Sequence, residues 1–581
     1  MNAELRADVE RAAEKHALLN AVKHESDAEV GAVMGPLMGE NPEFREHADD
    51  VPGVVGQVVS EVNRTDPGKR RARLEAVAPE ALEALEADAE ETGPLPELPN
   101  VEADDEVRMR AAPNPNGPWH LGNARMGAVL GTYREMYDGH LIVRFDDTDP
   151  ETKRPDLDAY DAILRDLAYL GFEPDTVIRA SDRLETYYEH ARELIEAGGA
   201  YACACPQEQF SELKRAGEAC DHRDRSAAES LSIFEAMVDG EYDPGETVLR
   251  VRTDIEHRNP ALRDWVAFRT IDTPHPREAA ADYRCWPMLD FQSGVDDHLT
   301  GVTHIVRGID LQDSAKRQRF VYDYFDWEYP EVVHWGHVRT EEYDVPMSTS
   351  SIKERVDAGD LDGWDDPRAP TVASVRRRGI RGEALTRALT ALGTSTSNVD
   401  LSMSAVYAEN RDLIDDAADR HFLVRDTAEG DAEDGGGAVE RRVVDGPETG
   451  TPPVHPEHEE RGRRELPVSD GVLVESRDLP ANGERVWLKG LGCVRHTSDA
   501  FRFESRDLDL VRDGEVSVVH WVPADRPRRV RLRTPDGDVK GYAETTLRDD
   551  AVGDLVQFER VGYGRVDAQA EDHTVVYYAH R

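Results

Sequence analysis

Apolar side chains in the first hundred residues recur every three to four positions, at Leu5, Val9, Ala12 and Ala13 and again at Val54, Val55, Val58, Val59 and Val62. That period predicts amphipathic helices, and the proline-rich stretch Pro94 to Pro99 ends them as a stiff linker. The texture then changes. An extended run from Glu106 to Arg110 leads through prolines and glycines into a helix pattern, Ala124 to Met136. The apolar runs Leu141-Ile142-Val143 and Val302 to Val306 read as buried parallel strands, with a helix pattern over Leu289 to Leu299 between them. A further strand signal, Thr247 to Arg252, falls in the interval between these halves. Beyond residue 420 helical spacing gives way to short β runs: Gly471 to Glu475, Glu484 to Lys489, Val516 to Val522, Arg529 to Arg533 and Thr574 to Ala579. Gly, Asp and Pro turns separate them, which predicts β-barrels. Gly430 to Gly437 reads as a mobile acidic loop.

Composition adds a setting. The 581 residues suffice for roughly three to five domains. No secretory signal and no membrane-length apolar run is present, so a soluble cytoplasmic protein is expected, with no membrane partner. Asp and Glu number 118 against 70 Lys and Arg, for a formal charge of −48. Such a chain repels itself in dilute buffer and is relieved as salt shortens the screening length to about 3 Å at 1 M. Acidity spread along the whole chain, with few lysines, looks like the signature of a halophilic proteome. Local basic clusters remain, Arg376-Arg377-Arg378 and Arg526-Pro527-Arg528-Arg529, as candidate phosphate contacts.

The chemistry begins at Arg110-Ala-Ala-Pro113-Asn-Pro115-Asn-Gly117-Pro-Trp-His120-Leu-Gly122-Asn123. A strand turning through Pro and Gly into a helix offers backbone N–H groups and a helix N-terminus to phosphate. Further along stand Arg144-Phe-Asp146-Asp-Thr-Asp149 at a strand end, Arg307 at the end of Val302 to Val306, and Met347-Ser348-Thr349-Ser350-Ser351-Ile-Lys353. Arginine suits carboxylate recognition because its planar fork makes two parallel charge-assisted bonds. Five cysteines make no disulfide framework, but Cys203, Cys205, Cys220 and His222 have the spacing and donor set of one tetrahedral structural Zn²⁺. Cys285 and Cys493 read as isolated structural thiols.

These motifs, in this order, resemble the class I aminoacyl-tRNA synthetases of the glutamyl/glutaminyl branch, and the Met-Ser-Thr-Ser form and β texture resemble its archaeal-type glutamyl members. The family's first signature is met except that Leu121 replaces Ile and Asn123 replaces a second His. The second signature lacks both family lysines, Pro346 and Thr349 standing in their places, which leaves Lys353 as the candidate cation. The implied fold is multidomain α/β plus all-β: a Rossmann-like catalytic domain with an N-terminal helical region and C-terminal β-barrel anticodon-binding domains. The expected boundaries are 1–104 for an appended helical domain, 105–200 and 283–335 for the two catalytic halves, and 201–282 for an acceptor-arm-binding insertion with the Cys/His cluster. Residues 336–420 would hold the Ser-rich signature loop and a helical stem-contact region, and 421–581 the barrels.

The implied activity is ATP-dependent activation of L-glutamate to glutamyl-adenylate, with Mg²⁺ arriving on ATP, and transfer to the 3′ end of tRNA(Glu) and in many members of tRNA(Gln), by a monomer. Carried over residue by residue, Pro113, Gly117, His120, Gly122, Met347 and Ser348 would bind ATP. His120, Asn123, Ser348, Ser350 and Lys353 would act on its phosphates, and Arg110, Asp146, Ser293 and Arg307 would bind the amino acid. The pocket tyrosine of several relatives falls on Leu289, leaving Trp286 or Tyr283 to fill its space. An uncharged residue is typical of glutaminyl members where Arg307 stands, so glutamate is favoured over glutamine. A glutaminyl-tRNA synthetase is the second reading. A tRNA-binding or nucleotidyltransferase protein outside translation is the third.

Overall fold

A computed structural model describes residues 3–23, 27–41, 44, 47, 50–82, 94–103, 105–340, 342–426, 437–468 and 471–581. The expected Gly430 to Gly437 loop lies outside the described residues apart from Gly437. The chain divides into two compact units, Met1–Glu97 and Leu98–Arg581.

In the first unit, helices Ala3–Lys23, Val30–Glu40, Val51–Asn63 and Pro67–Val77 bury one common stripe. Val9, Ala13, Ala17, Leu37, Val55, Val62 and Leu74 are closed off from water in it. At ~25 cal/mol per Å² such apolar burial is the main term stabilising the unit. Asn63 ties the loop before Val30 by accepting from the Ala28 amide at 2.8 Å and donating to its carbonyl at 3.1 Å.

The second unit is built on a parallel sheet of five strands in the spatial order Thr176–Arg179, His140–Phe145, Arg108–Ala111, His304–Gly308, Glu331–Trp335. All four neighbouring pairs run parallel. Chain order reverses between Arg108–Ala111 and His304–Gly308, and a crevice opens at the carboxyl ends of strands at such a switch point. Into the crossover is inserted an antiparallel sheet, Ala200–Cys203, Val248–Val251, Val266–Thr270 and Cys285–Pro287.

Past residue 418 the described residues form a two-stranded sheet, Thr449–Gly450 with Leu466–Pro467, and two seven-stranded ones. In one, the strands Asp419–His421 and Leu423–Arg425 stand at opposite ends of the hydrogen-bonded order, although one residue separates them in sequence. Only a sheet that wraps round on itself can bring its two edges so close, so this is a barrel. The other sheet does the same with Val518–Val519 and Val522–Pro523 at its two ends. Trp521 fills the interior of the latter, its indole donating to the Lys489 carbonyl at 3.0 Å.

Candidate functional site at the sheet switch point

His120 caps the helix Leu121–Met136, which leaves the carboxyl end of the Arg108–Ala111 strand through the Pro–Gly turn. Its Nδ1 accepts from the Asn123 amide at 3.3 Å. Burial pushes its pKa down to about 4, so the ring is neutral near pH 7 and its remaining proton sits on Nε2, a donor for a phosphate oxygen. The neighbouring glycines are fixed by close approach. A β-carbon on Gly117 would lie 2.8 Å from both Thr349 Cγ2 and the Trp364 ring. One on Gly122 would lie 3.0 Å from the His120 ring and 3.5 Å from Met347 Cε. The two distant motifs therefore meet, Met347 and Thr349 packing on the turn that holds His120. Pro113 lies on the same turn, its carbonyl accepting from the Asp146 amide at 3.0 Å.

The Ser-rich segment differs from the expected loop. A helix, Thr349–Asp357, begins directly after Ser348, and the Ser348 and Ser350 hydroxyls are 3.0 Å apart at its first turn. The positive end of the helix dipole therefore falls at Ser348 and Thr349, where the family's lysines are missing. Lys353 is a turn further on, half exposed, its ammonium 3.3 Å from Asp357.

Across the crevice the charged side chains form one buried network. Arg144 donates to Asp146 at 2.7 Å, to Asp297 at 2.6 Å and to the Ser293 hydroxyl at 3.0 Å. Arg110 meets Asp297 at 3.2 Å, and Arg183 meets Asp296 at 2.7 Å. Burial works against ionisation of Asp297, but Arg110 and Arg144 together hold its carboxyl below the usual range. Asp146, Asp296 and Asp297 are thus matched by Arg110, Arg144 and Arg183. Arg307 is the fourth arginine. Its Nη2 donates to Gln318 at 3.2 Å and Tyr329 at 3.4 Å, both neutral, and its Nε is buried without a partner. Burial and then the nearby Arg110 lower its pKa, as expected for a cation kept from both water and a counter-ion. Among the described residues no carboxylate pairs with it.

At the end of the Ala200–Cys203 strand and in the segments after it, the ligand atoms of Cys203, Cys205, Cys220 and His222 all lie within 4.8 Å of one another. The Cys203–Cys220, Cys203–His222 and Cys205–His222 separations are 3.9, 3.8 and 3.2 Å. A tetrahedral zinc with bonds of about 2.0–2.3 Å requires ligand separations of about 3.3–3.8 Å. Cys285 and Cys493 are buried free thiols apart from this cluster.

Comparison with known proteins agrees with this geometry. The family model for the catalytic domain of class I tRNA synthetases (E and Q) matches residues 106–416, and two models for the anti-codon binding domain of the same group match 418–508 and 518–567. Over the full length of both chains, the sequence is 66% identical to the glutamate–tRNA ligase of Haloarcula marismortui and 63% identical to that of Natronomonas pharaonis. It is 43% identical to that of Methanosarcina acetivorans, over 98% of each chain. The chain belongs to the class I glutamyl/glutaminyl tRNA synthetases.

Several residues that shape this synthetase's crevice carry no motif. Asp296, Asp297, Gln292, Gln318 and Tyr329 were given no role by the sequence, and Arg144 was quoted only as the first residue of its motif. Asp296 and Asp297 had a readable signal: two adjacent acids on a helix, Leu289–Leu299, whose neighbours Phe291 and Val295 are buried. Gln318 and Tyr329 had none. Trp286 is buried and stacked on His275, 5.4 Å between centroids, while the Tyr283 hydroxyl donates to Glu185. Leu289 is 39% exposed. The Tyr329 phenol lies against Arg307 and donates to Gln318 at 2.6 Å. Of the basic clusters, Arg376, Arg377, Arg378 and Arg528 are all engaged with protein groups. Arg526 and Arg529 remain exposed.

Proposed function

We propose that this synthetase is a glutamate–tRNA ligase, and that Arg307 is the residue that makes it choose glutamate. The observation that carries the choice is the buried guanidinium without a counter-ion: a substrate γ-carboxylate supplies the missing charge, whereas the neutral amide of glutamine leaves it unpaired. Asp146, with Gln292 donating to it at 3.1 Å, takes the α-ammonium. Arg110 and Ser293 belong to the frame that fixes these groups.

In the first step an α-carboxylate oxygen of glutamate attacks the α-phosphorus of ATP, the bond to pyrophosphate breaks, and glutamyl-adenylate remains. In the second the 2′-hydroxyl of the terminal tRNA adenosine attacks the acyl carbon and AMP leaves. No side chain becomes covalently attached, so catalysis consists of positioning and charge stabilisation. The Nε2–H of His120, the Asn123 amide side chain, the Ser348 and Ser350 hydroxyls and the N-terminus of Thr349–Asp357 donate to phosphate. Pro113, Gly117, Gly122 and Met347 shape the nucleotide's bed, and Lys353 supplies positive charge nearby. Mg²⁺ arrives with ATP and neutralises phosphate charge.

Cys203, Cys205, Cys220 and His222 hold one Zn²⁺, which staples the insertion (201–282) that takes the acceptor arm. The barrels (421–581) take the anticodon of tRNA(Glu), and tRNA(Gln) is a second acceptor. The enzyme acts as a cytoplasmic monomer. No helix among the described residues is long and apolar enough to cross a membrane.

ATP–pyrophosphate exchange with glutamate or glutamine, with and without tRNA, tests the reading. Exchange with glutamate in the presence of tRNA is expected. Exchange with glutamine alone would establish the glutaminyl activity instead, and none with either would remove the chain from aminoacylation.

A further inference from the structure

The three successive arginines after the Ser-rich helix have the look of a phosphate-binding cluster, yet each has a partner inside the protein. Arg378, 1% exposed, donates to the carbonyls of Tyr578 at 2.9 Å and Ala579 at 2.5 Å, and to the hydroxyls of Tyr343 and Tyr407. Arg377 makes two parallel bonds to Asp567, at 3.0 and 2.8 Å. Both anchor the helix Val372–Arg377 to the strands of the barrel that ends the chain. Arg376 reaches the other way. Its Nη1 donates to Oδ1 of Asp166 at 2.9 Å, and Oδ2 of the same carboxylate accepts the backbone N–H of Trp119 at 3.1 Å.

Trp119 is the residue before His120. Around it the chain is gripped by backbone bonds from the same segment, Val372 N–H to the Trp119 carbonyl at 3.0 Å and Leu121 N–H to the Pro370 carbonyl at 2.9 Å. Asp166 contributes the remaining bond on this stretch, and it is the one whose strength depends on charge. The carboxylate is 1% exposed. Without Arg376 it would be a buried unpaired charge, which either takes up a proton or turns toward water, and the Trp119 amide loses its acceptor in both cases.

We propose that Arg376 and Asp166 are positioning residues for amino-acid activation: the pair holds the Trp119 amide, and through it the His120 imidazole, at the height the ATP phosphates require. Arg376 is thereby assigned to the activation site rather than to tRNA phosphate. The assignment rests on the reading that His120 meets ATP.

Burial pushes the Asp166 carboxyl up to about 6, against Arg376 from the opposing helix, the Trp119 amide and Arg165 of its own helix. Tyr169, also on that helix, lies under the Arg376 guanidinium at 5.6 Å. Protonation of the carboxyl near pH 6 therefore loosens the Trp119 bond from the acid side.

The test uses the full chain with saturating tRNA and glutamate-dependent pyrophosphate exchange, in Arg376→Ala, Arg376→Lys and Asp166→Asn, from pH 5 to 8, with melting temperature measured alongside. Arg376→Ala is expected to lower kcat about tenfold, the equivalent of ~1.4 kcal/mol in the barrier, with KM for tRNA and glutamate within about twofold. Arg376→Lys should recover most of the loss. Wild-type activity should fall below about pH 6, and Asp166→Asn should lack that fall. A raised KM for tRNA at unchanged kcat in Arg376→Ala would give the residue to phosphate and overturn the proposal. Losses that only follow the folded fraction in all three variants would overturn it too. A wild-type chain with no glutamate-dependent exchange would defeat the proposed function itself, a separate outcome.

Discussion

His120 shows how much a single side chain can be told by its neighbours. With Nδ1 occupied by the Asn123 amide and the ring kept neutral by burial, it has one neutral N–H left to donate, and on the proposed reading its contact with phosphate strengthens as charge develops in the transition state. His120→Ala should lower the maximal rate of pyrophosphate exchange by about 100-fold, or ~2.7 kcal/mol, with a smaller rise in KM for ATP. Steady-state kinetics on the folded variant checks this, and an unchanged rate would take His120 out of the mechanism. That His120 and Gly117 share one tight turn was legible in the sequence, because they stand three positions apart between a strand and a helix. The Arg144–Asp297 pair was not, since its partners are 153 positions apart and pair only when two strands and a helix converge.

At the scale of elements, continuous apolar runs announced the parallel strands, helical period the N-terminal helices, and short β runs between turn residues the barrels, because each follows from which faces are buried. The start of Thr349–Asp357 was harder: serines and threonines suit loops and helix first turns equally, and packing of Thr349 on Gly117 decides for the helix. The Cys/His cluster was legible from spacing alone. One zinc per chain is expected by elemental analysis of unchelated protein. Cys203→Ser with Cys205→Ser should release it and raise KM for tRNA more than KM for ATP. A metal-free wild-type protein would leave four structural side chains.

The barrels carry a pH dependence of their own. Burial pushes the pKa values of His520 and His580 down to about 4 each, against 6.5 for an exposed histidine. Between those values the unfolded chain binds more protons than the folded one, so stability is complete above about pH 6.5 and declines as pH falls toward 4. At ~1.4 kcal/mol per pKa unit the two together are worth a few kcal/mol. Asp166, raised to about 6, and Asp146, also raised by burial, act in the opposite sense, while His120, lowered to about 4, adds to the decline. The melting temperature should drop by several degrees from pH 7 to 5, and less so in His520→Phe. A flat profile would contradict the assignment.

For the whole molecule, the net charge of −48 sets the conditions rather than the chemistry. A tRNA and this chain repel at long range, while partly desolvated arginine–phosphate contacts are screened less. Ordinary tRNA binders lose affinity steeply with salt through counterion release. Here aminoacylation should instead rise or stay level as KCl goes from about 0.1 M toward 1 M, where the Debye length shrinks from roughly 10 to 3 Å. Circular dichroism at each salt separates this from gain of fold. A folded enzyme that charges tRNA best in dilute salt would refute the halophilic reading.

The central claim is that the unpaired buried Arg307 reads the substrate's carboxylate, and the ratio of kcat/KM for glutamate over glutamine measures it directly in wild type and Arg307→Cys. The wild-type ratio should lie far above one and fall by at least about tenfold in the variant, since ~1.4 kcal/mol is less than a buried charge pair is worth. A wild-type enzyme that prefers glutamine, or a folded variant with an unchanged ratio, would contradict it.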